Sequence, residues 1–188
     1  MGSSATSFFA PMRDHAATEV ALRDSGVPFT SLRNGFYVTT VLHLLGAALE
    51  TGELAAPADG PVSWTSHPDL AEAAAIALAG HAADSAAGLD GITPALTGSE
   101  AIDLEGIAAI VSGLAGRPVR RVVVPDAEYQ AGLVAHGVPE RAAEMLLGMF
   151  AASRQGEFAQ VDPALGRVTG RPPMTVRDFL EAALAPAG

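Results

Sequence analysis

Residues 22–37 read LRDSGVPFTSLRNGFY, and this stretch contains the end of a helix, a short strand and a turn in direct succession. Residues at helical spacing precede it from Arg13 to Arg23, and Gly26 stands where many helices end. Val27 to Leu32 is predicted as a short strand, which the turn Arg33-Asn34-Gly35 closes. A helix that leads at once into a strand and a turn is typical of an α/β fold.

Helices and strands alternate in the first part of the chain, whereas helices dominate the second part. Helices are predicted at Phe36–Glu50, Asp69–Ala79, Asp103–Leu114, Asp126–His136, Pro139–Arg154 and Thr175–Leu184, and strands at Val62–Thr65, Ile92–Leu96 and Pro118–Val124. Loops are predicted at residues 52–61, 81–91 and 156–173. We therefore expect a partial Rossmann-like sheet in residues 1–98 and a mostly helical C-terminal lobe in residues 99–188.

Three details of this prediction depend on local composition. The helix at Phe36–Glu50 is apolar nearly all round and the run Val122-Val123-Val124 is entirely apolar, so both are expected to be buried. Gly80 is expected to end the helix that begins at Asp69. Thr175 and Asp178 resemble a capping box, in which each residue caps the backbone of the other.

Lysine and cysteine are both absent, so all eleven basic residues are arginine. These absences exclude disulfides, thiolate nucleophiles, cysteine-based zinc sites, a Schiff-base lysine and a P-loop lysine. The formal charge of −10 repels phosphate backbones and Arg117, Arg120 and Arg121 are the only basic cluster, so no nucleic-acid partner is expected. No apolar run reaches the roughly 20 residues of a membrane-spanning helix. With no recognisable signal peptide, we expect a cytoplasmic protein without a membrane partner.

Two stretches of the sequence resemble NmrA-like NAD(P)H:quinone oxidoreductases, a family of atypical short-chain dehydrogenases. Residues 14–37 are similar to the family pattern H-x-x-T-E followed by L-x-x-S-G-[IV]-x-[FY]-T-x-L-R-N-G-[WFY]-Y. Residues 64–75 resemble the strand-to-helix junction of the family, where an aspartate precedes an alanine-rich helix. The order and spacing of elements extend the resemblance over most of residues 13–184.

The resemblance implies that the strand ending at Leu32 belongs to a Rossmann sheet and that the following turn faces nicotinamide and substrate. Arg33, Asn34, Gly35 and Phe36 would then bind the cofactor, NADP or NAD, and hydride would pass to a small quinone-like acceptor. The glycine-rich diphosphate turn of the family is missing. The chain is therefore expected to be a C-terminal portion without the N-terminal strands. Some members carry a lysine just before the matching histidine, where this chain has Asp14.

His15 and Tyr37 are the candidate catalytic residues, each as a proton donor to a bound quinone. His15 and Glu19 lie four residues apart on one helix face, so a surface pair between them is the alternative. A metal would need another ligand at suitable spacing, which the sequence does not offer, and no metal is expected. The alternative for Tyr37 is a half-buried side chain at the rim of a pocket.

The binding candidates also have structural alternatives. Arg33 would clamp a phosphate or substrate oxygen, or else form an ion pair at the end of the strand. Asn34 and Gly35 tolerate positive φ, so a turn alone also explains them. Trp64, beside His67, and Met149, in an apolar helical stripe, are candidate substrate-binding residues, with core packing as the alternative for both.

The sequence leaves two functions open. One is an NAD(P)-dependent oxidoreductase of the quinone-reductase type. The other is a non-catalytic NmrA-like module that senses a nucleotide or binds a protein partner, and the missing lysine and glycine-rich turn favour it. A Rossmann sheet without its first strands would expose an unpaired edge, which predicts a homodimer.

Overall fold

A computed structural model of the chain describes residues 3–82 and 91–185, with the side chains of residues 81 and 82 excluded. The predicted loop at residues 81–91 lies outside the described residues except at its two ends. The chain is an α/β protein, mostly helical, with small parallel sheets. In the described part of the chain, no helix is both long enough and apolar enough to cross a membrane.

The elements are numbered here in chain order over the described residues. The helices are α1 (Ala10–Ser25), α2 (Thr39–Leu45), α3 (Ala48–Thr51), α4 (His67–Ala82), α5 (Leu104–Ala115), α6 (Asp126–Ala135), α7 (Glu140–Arg154), α8 (Ala164–Thr169) and α9 (Val176–Leu184). The strands are β1 (Thr30–Ser31), β2 (Phe36–Tyr37), β3 (Glu53–Ala56), β4 (Trp64–Thr65), β5 (Gly91–Ile92) and β6 (Arg120–Val123).

The strands form three parallel pairs, β1 with β5, β2 with β4 and β3 with β6. A single parallel bridge also joins Asn34 to Leu96. Asn34 lies between β1 and β2 in the sequence. The turn after β1 therefore stands at the carboxyl end of one parallel pair and just before the start of the next. In open α/β folds this edge of the strands is where ligands bind.

Several predicted helices are confirmed together with the residues that end or begin them. α1 ends at Gly26, whose φ of 68° few other residues adopt. Asp103 caps α5 by accepting a hydrogen bond from the Gly106 N–H at 2.9 Å. Thr175 and Asp178 form the predicted capping box at the start of α9. These ends were predictable because each depends on a few neighbouring residues.

The predicted helix at Phe36–Glu50 is wrong in its first residues and in its burial. Its first two residues form β2, and the rest divides into two short helices at Gly46, whose φ is 45°. Leu42 and His43 are exposed, so the helix is not buried all round. Pairing with β4 decides the conformation of Phe36 and Tyr37, and such a partner is invisible in the local sequence.

Four further predictions are wrong, the first two because of distant partners. The predicted loop at 52–61 contains β3, which pairs with β6, and the predicted loop at 156–173 contains α8, whose Leu165 is fully buried against α4. The helix expected to end at Gly80 continues to Ala82. Val123 is 62% exposed, so the run at the end of β6 is not a buried strand.

One large apolar cluster contains side chains from both predicted parts of the chain. Trp64 and Leu54 come from residues 1–98, whereas Phe150 and Phe158 come from residues 99–188. The β3–β6 pair also connects the two parts. The division at residue 98 stays a prediction. Phe36 of β2 packs against this cluster.

Candidate functional site

A cleft of about 410 Å³ lies between α1 and the chain segment that runs from the end of β1 to the start of α2. It is lined, among others, by the predicted site residues His15, Arg33, Asn34, Gly35, Phe36 and Tyr37. The volume is within the range of about 300–1,000 Å³ that is usual for small-molecule sites. The structure thus brings the predicted catalytic pair and the predicted cofactor-binding turn to one cavity.

An ion pair between Glu19 and Arg33 forms the polar part of the cleft wall. Arg33 Nε and Nη2 donate to the two carboxylate oxygens of Glu19 at 2.9 and 2.7 Å. Ser31 Oγ donates to Glu19 Oε1 at 3.2 Å, and Ser3 Oγ donates to Glu19 Oε2. Glu19 is only 6% exposed. The predicted surface pair between His15 and Glu19 is therefore wrong, because the carboxylate is buried and binds Arg33.

The charges of this pair are fixed over the physiological pH range. The hydrogen bond from Arg33 lowers the pKa of Glu19 to about 2, although burial of the carboxylate acts in the opposite direction. The hydrogen bond with Glu19 raises the pKa of Arg33. The wall therefore carries one negative and one positive charge that compensate each other. Such a wall suits an uncharged polar ligand better than a phosphate, which Glu19 would repel.

Backbone hydrogen bonds and close packing hold the turn after β1. The Arg33 N–H donates to Thr93 Oγ1 at 3.0 Å, and the Gly35 N–H donates to the Leu96 carbonyl at 2.7 Å. A Cβ on Gly35 would lie 2.1 Å from Thr65 Oγ1. Gly35 is not among the glycines with positive φ. Its explanation by positive φ is thus wrong, and close contact with β4 requires glycine here instead.

Asn34 contributes an unsatisfied polar atom at the same turn. Its Oδ1 is buried and has no hydrogen-bond partner in the described structure. A buried acceptor without a donor costs about 1–3 kcal/mol. A ligand or water that brings a donor to this amide would recover that free energy.

The two predicted proton donors both line the cleft, one from α1 and one from β2. His15 is exposed on α1, and Tyr37 is 43% exposed at the end of β2, as expected for a tyrosine at a rim. The Tyr37 ring stacks on the His67 ring, with 4.4 Å between centroids and 34° between planes. His67 follows Trp64 closely in sequence, and it contacts Tyr37 because the parallel register sets Tyr37 opposite Thr65.

Trp64 and Met149 lie in the core and do not line the cleft. They are 3% and 5% exposed, and the Trp64 Nε1–H donates to the Ile102 carbonyl at 2.9 Å. Phe36 connects the two regions, since it lines the cleft and packs its ring 5.6 Å from that of Trp64. These positions favour core packing for both residues, and their role in substrate binding stays a prediction. Among the described residues, no three His, Asp or Glu side chains are grouped so as to hold a metal ion.

Comparison with known proteins finds relatives but no matching family model. The chain is 30% identical over 168 residues to an NAD(P)H azoreductase of Xenophilus azovorans, covering 89% of this chain and 57% of that protein. It is 31% identical to quinone oxidoreductase 2 of Escherichia coli, with 88% and 56% covered. It is also 31% identical to an NmrA-like family domain-containing oxidoreductase of Aspergillus flavus, with 92% and 55% covered. The chain thus spans little more than half the length of these curated relatives.

Solved structures give the same result in three dimensions. The NADPH-dependent quinone oxidoreductase of Escherichia coli, crystallised with NADPH, superposes with a TM-score of 0.85 at 29% identity. The superposition covers 95% of this chain and 62% of the other. The triphenylmethane reductase of Citrobacter, complexed with NADP(H), superposes with a TM-score of 0.82 at 28% identity, covering 97% and 63%.

Proposed function

The chain belongs to the NmrA-like family of quinone oxidoreductase type, and on this premise we propose that it supplies the substrate side of an NAD(P)H-dependent oxidoreductase acting on a small quinone-like acceptor. The observation that carries the proposal is the cleft, where His15, Tyr37 and the turn from Arg33 to Phe36 meet. The relatives named azoreductase and quinone oxidoreductase support this reaction class. The chain matches only part of their length, so the oxidoreductase activity of the whole protein is also proposed.

The residues of this chain fit the reacting end of a nicotinamide cofactor and do not fit its diphosphate. Asn34 Oδ1 lacks a donor, which the carboxamide of a nicotinamide carries. The sequence has neither a glycine-rich turn nor a lysine, and the Arg33 guanidinium is already paired with Glu19. A bound nicotinamide would supply the hydride. Residues 33–36 would orient its ring, whereas the diphosphate would need groups that this chain does not contain.

His15 and Tyr37 supply the proton in this proposal. A quinone-like acceptor that receives a hydride also needs a proton on oxygen before it leaves as a hydroquinone. Histidine is the side chain that most often acts as a general acid, and His15 is exposed on α1 at the cleft. Tyr37 is held against His67, which limits the movement of its ring at the rim. His15 is accordingly the preferred donor, and Tyr37 positions the acceptor or replaces His15.

Oxidation of a reduced nicotinamide that lacks the diphosphate, dihydronicotinamide riboside, by a quinone tests the proposal, because this reductant carries only the reacting end of the cofactor. The reaction is measured as the loss of nicotinamide absorbance. Replacement His15→Ala should lower kcat/KM by about 10²-fold, the usual contribution of a general acid. His43→Ala is the matched control, since His43 is an exposed helical histidine outside the cleft, and its activity should stay unchanged. Absence of quinone-dependent oxidation in the unaltered protein, or equal losses in both variants, would contradict the proposal.

The alternative is a non-catalytic module that senses a nucleotide or binds a protein partner. The absence of lysine and of the glycine-rich turn favours this alternative. It predicts that NADPH raises the thermal unfolding temperature while no acceptor is reduced. A protein that turns over quinone would rule it out as the main function.

A homodimer is a further part of the proposal. Within the described residues each sheet has only two strands, so strand edges remain for pairing with a second copy. Sedimentation equilibrium should give twice the mass of the chain. A monodisperse monomer would contradict the homodimer without affecting the proposed chemistry.

A further inference from the structure

The hydroxyl group of Ser3 occupies the cleft wall between Glu19 and Arg33. Ser3 Oγ accepts a hydrogen bond from Arg33 Nη2 at 3.1 Å and donates one to Glu19 Oε2. Ser3 lines the same cleft as His15 and Tyr37. This part of the wall therefore binds a neutral hydroxyl group, which here belongs to the protein itself.

The two partners demand a group that both donates and accepts. Glu19 is ionised and offers only acceptors, whereas Arg33 offers only donors. A hydroxyl satisfies both at once. A phosphate or carboxylate would face the Glu19 charge and an ammonium would face the Arg33 charge, so either would be repelled by one partner. A methoxy group would satisfy Arg33 alone.

The rest of the cleft favours a hydroxyl that is attached to a flat ring. Phe9, Met12 and Phe36 line the cavity together with the ion pair. The Phe9 and Phe36 rings lie 5.8 Å apart and contact each other at a tilt of 44°. Burial of an aromatic ring against such apolar side chains stabilises the complex. A sugar has less apolar surface to bury and would gain less.

We propose that Glu19 and Arg33 form a binding subsite for a phenolic hydroxyl, and that Ser3 fills this subsite when no ligand is bound. A serine side chain can leave the position by rotation about its Cα–Cβ bond, without unfolding of the segment. The subsite rests on the proposed function only for its natural ligand, which would be the hydroquinone product. Its existence can be tested without any cofactor.

Binding of phenol and of anisole to the cofactor-free protein tests the subsite. The two probes share a ring, but only phenol has an O–H donor. Ser3→Ala removes the intramolecular competitor and should tighten phenol binding about fivefold, the usual effect of one hydrogen bond, and leave anisole binding unchanged. Ser4→Ala is the matched control, because its hydroxyl contacts Thr6 and lies outside the cleft lining. Dissociation constants come from NMR titration.

Each other outcome overturns the inference. Equal phenol affinity in the Ser3→Ala and unaltered proteins would show that the serine does not compete. Equal gains for phenol and anisole would mean that the smaller side chain merely widens the cleft. A gain for methyl riboside but not for phenol would replace the phenolic ligand by a sugar. Loss of quinone reduction in the enzyme assay would leave these titrations unaffected, so the two proposals fail separately.

Discussion

Arg33 and Arg121 both follow or form short strands, yet their guanidinium groups have different kinds of partners. The Arg33 guanidinium is held by the side chains of Glu19 and Ser3, and its side chain is 30% exposed at the cleft. The Arg121 side chain is 4% exposed and pairs with Asp59. Its remaining donors are directed at the backbone carbonyls of Leu54, Ala56, Pro57 and Val122.

The partners of Arg121 are fixed parts of the structure, whereas one partner of Arg33 can be exchanged for a ligand. Backbone carbonyls cannot leave Arg121 without unfolding of the chain around β3. A serine side chain can leave Arg33 by rotation, and a ligand can take its place. The neighbouring Arg120 pairs with Glu53 at the surface. Two of the three arginines in the basic cluster are therefore compensated by carboxylates.

Replacement Arg121→Met should have the largest effect on stability. It leaves the Asp59 carboxylate, which is mostly buried, and four carbonyl groups without their charged donor. Breaking a buried pair in this way costs about 3–5 kcal/mol of the free energy of unfolding. Urea denaturation monitored by circular dichroism measures the loss.

The control for this prediction is Arg120→Met, in the exposed pair with Glu53. Both residues of that pair are largely in solvent, so the cost should be at most about 1 kcal/mol. Equal losses in the two variants would refute the structural role of Arg121. If the Arg121→Met variant is folded but no longer binds phenol, Arg121 contributes to ligand binding in the cleft. The contrast with Arg33 would then be removed.

The elements that sequence predicted well are those set by neighbouring residues. The Thr175–Asp178 capping box is local and is predicted from the sequence. Asp103, predicted as the first residue of a helix, lies at the start of that helix as its cap. β3 was missed because its stability comes from β6, which lies more than sixty residues later in the chain. α8 was missed because its proline- and glycine-rich surroundings indicate a loop, whereas burial of Leu165 decides the outcome.

In the candidate site, too, the sequence does not reveal contacts between residues that are far apart in the chain. The family pattern named His15, Tyr37 and the turn from Arg33 to Phe36, and these residues line one cleft. The pattern did not show that Glu19 pairs with Arg33 instead of His15. That pairing depends on the position of β1 relative to α1. The reason for Gly35 also required coordinates, since Thr65 is thirty positions away in sequence.

Replacement Gly35→Ala should have the second largest effect, and it tests whether packing rather than charge holds the Arg33 turn. The new Cβ would lie 2.1 Å from Thr65 Oγ1 and 3.0 Å from the Leu96 carbonyl. Overpacking of this kind costs about 3 kcal/mol. The added mutation Thr65→Ala removes the closest atom, so the double variant should lose less than the sum of the two single variants.

Gly113→Ala is the matched control for this substitution. A Cβ at Gly113 in α5 meets no atom within 4 Å, so alanine should stabilise the helix by about 0.5–1 kcal/mol. Opposite signs for the two glycine variants are therefore expected in the same denaturation assay. A neutral Gly35→Ala would mean that β2 can move away from β4, and close packing at Gly35 would then not be what holds the turn.

Acid titration of the Glu19–Arg33 pair should give the smallest of the three effects. The pKa of Glu19 is about 2 in the folded protein and 4.5 as its reference, so the folded state favours the ionised form. Its contribution to stability is complete above about pH 4.5 and is lost as the pH falls toward 2. Between pH 6 and pH 3 the loss should be about 1.5 kcal/mol, after allowance for the solvent that reaches Arg33.

The comparison of Glu19→Gln with the unaltered protein isolates this loss from the titration of other carboxylates. The variant should be less stable at pH 6, and its stability should fall less steeply between pH 6 and pH 3. Glu50→Gln, at an exposed position of α3, should keep the steep fall of the unaltered protein. If Glu19→Gln keeps it too, Arg33 does not depend on the carboxylate. The ion pair would then not be what fixes the guanidinium at the cleft, and the contrast with Arg121 would lose its basis.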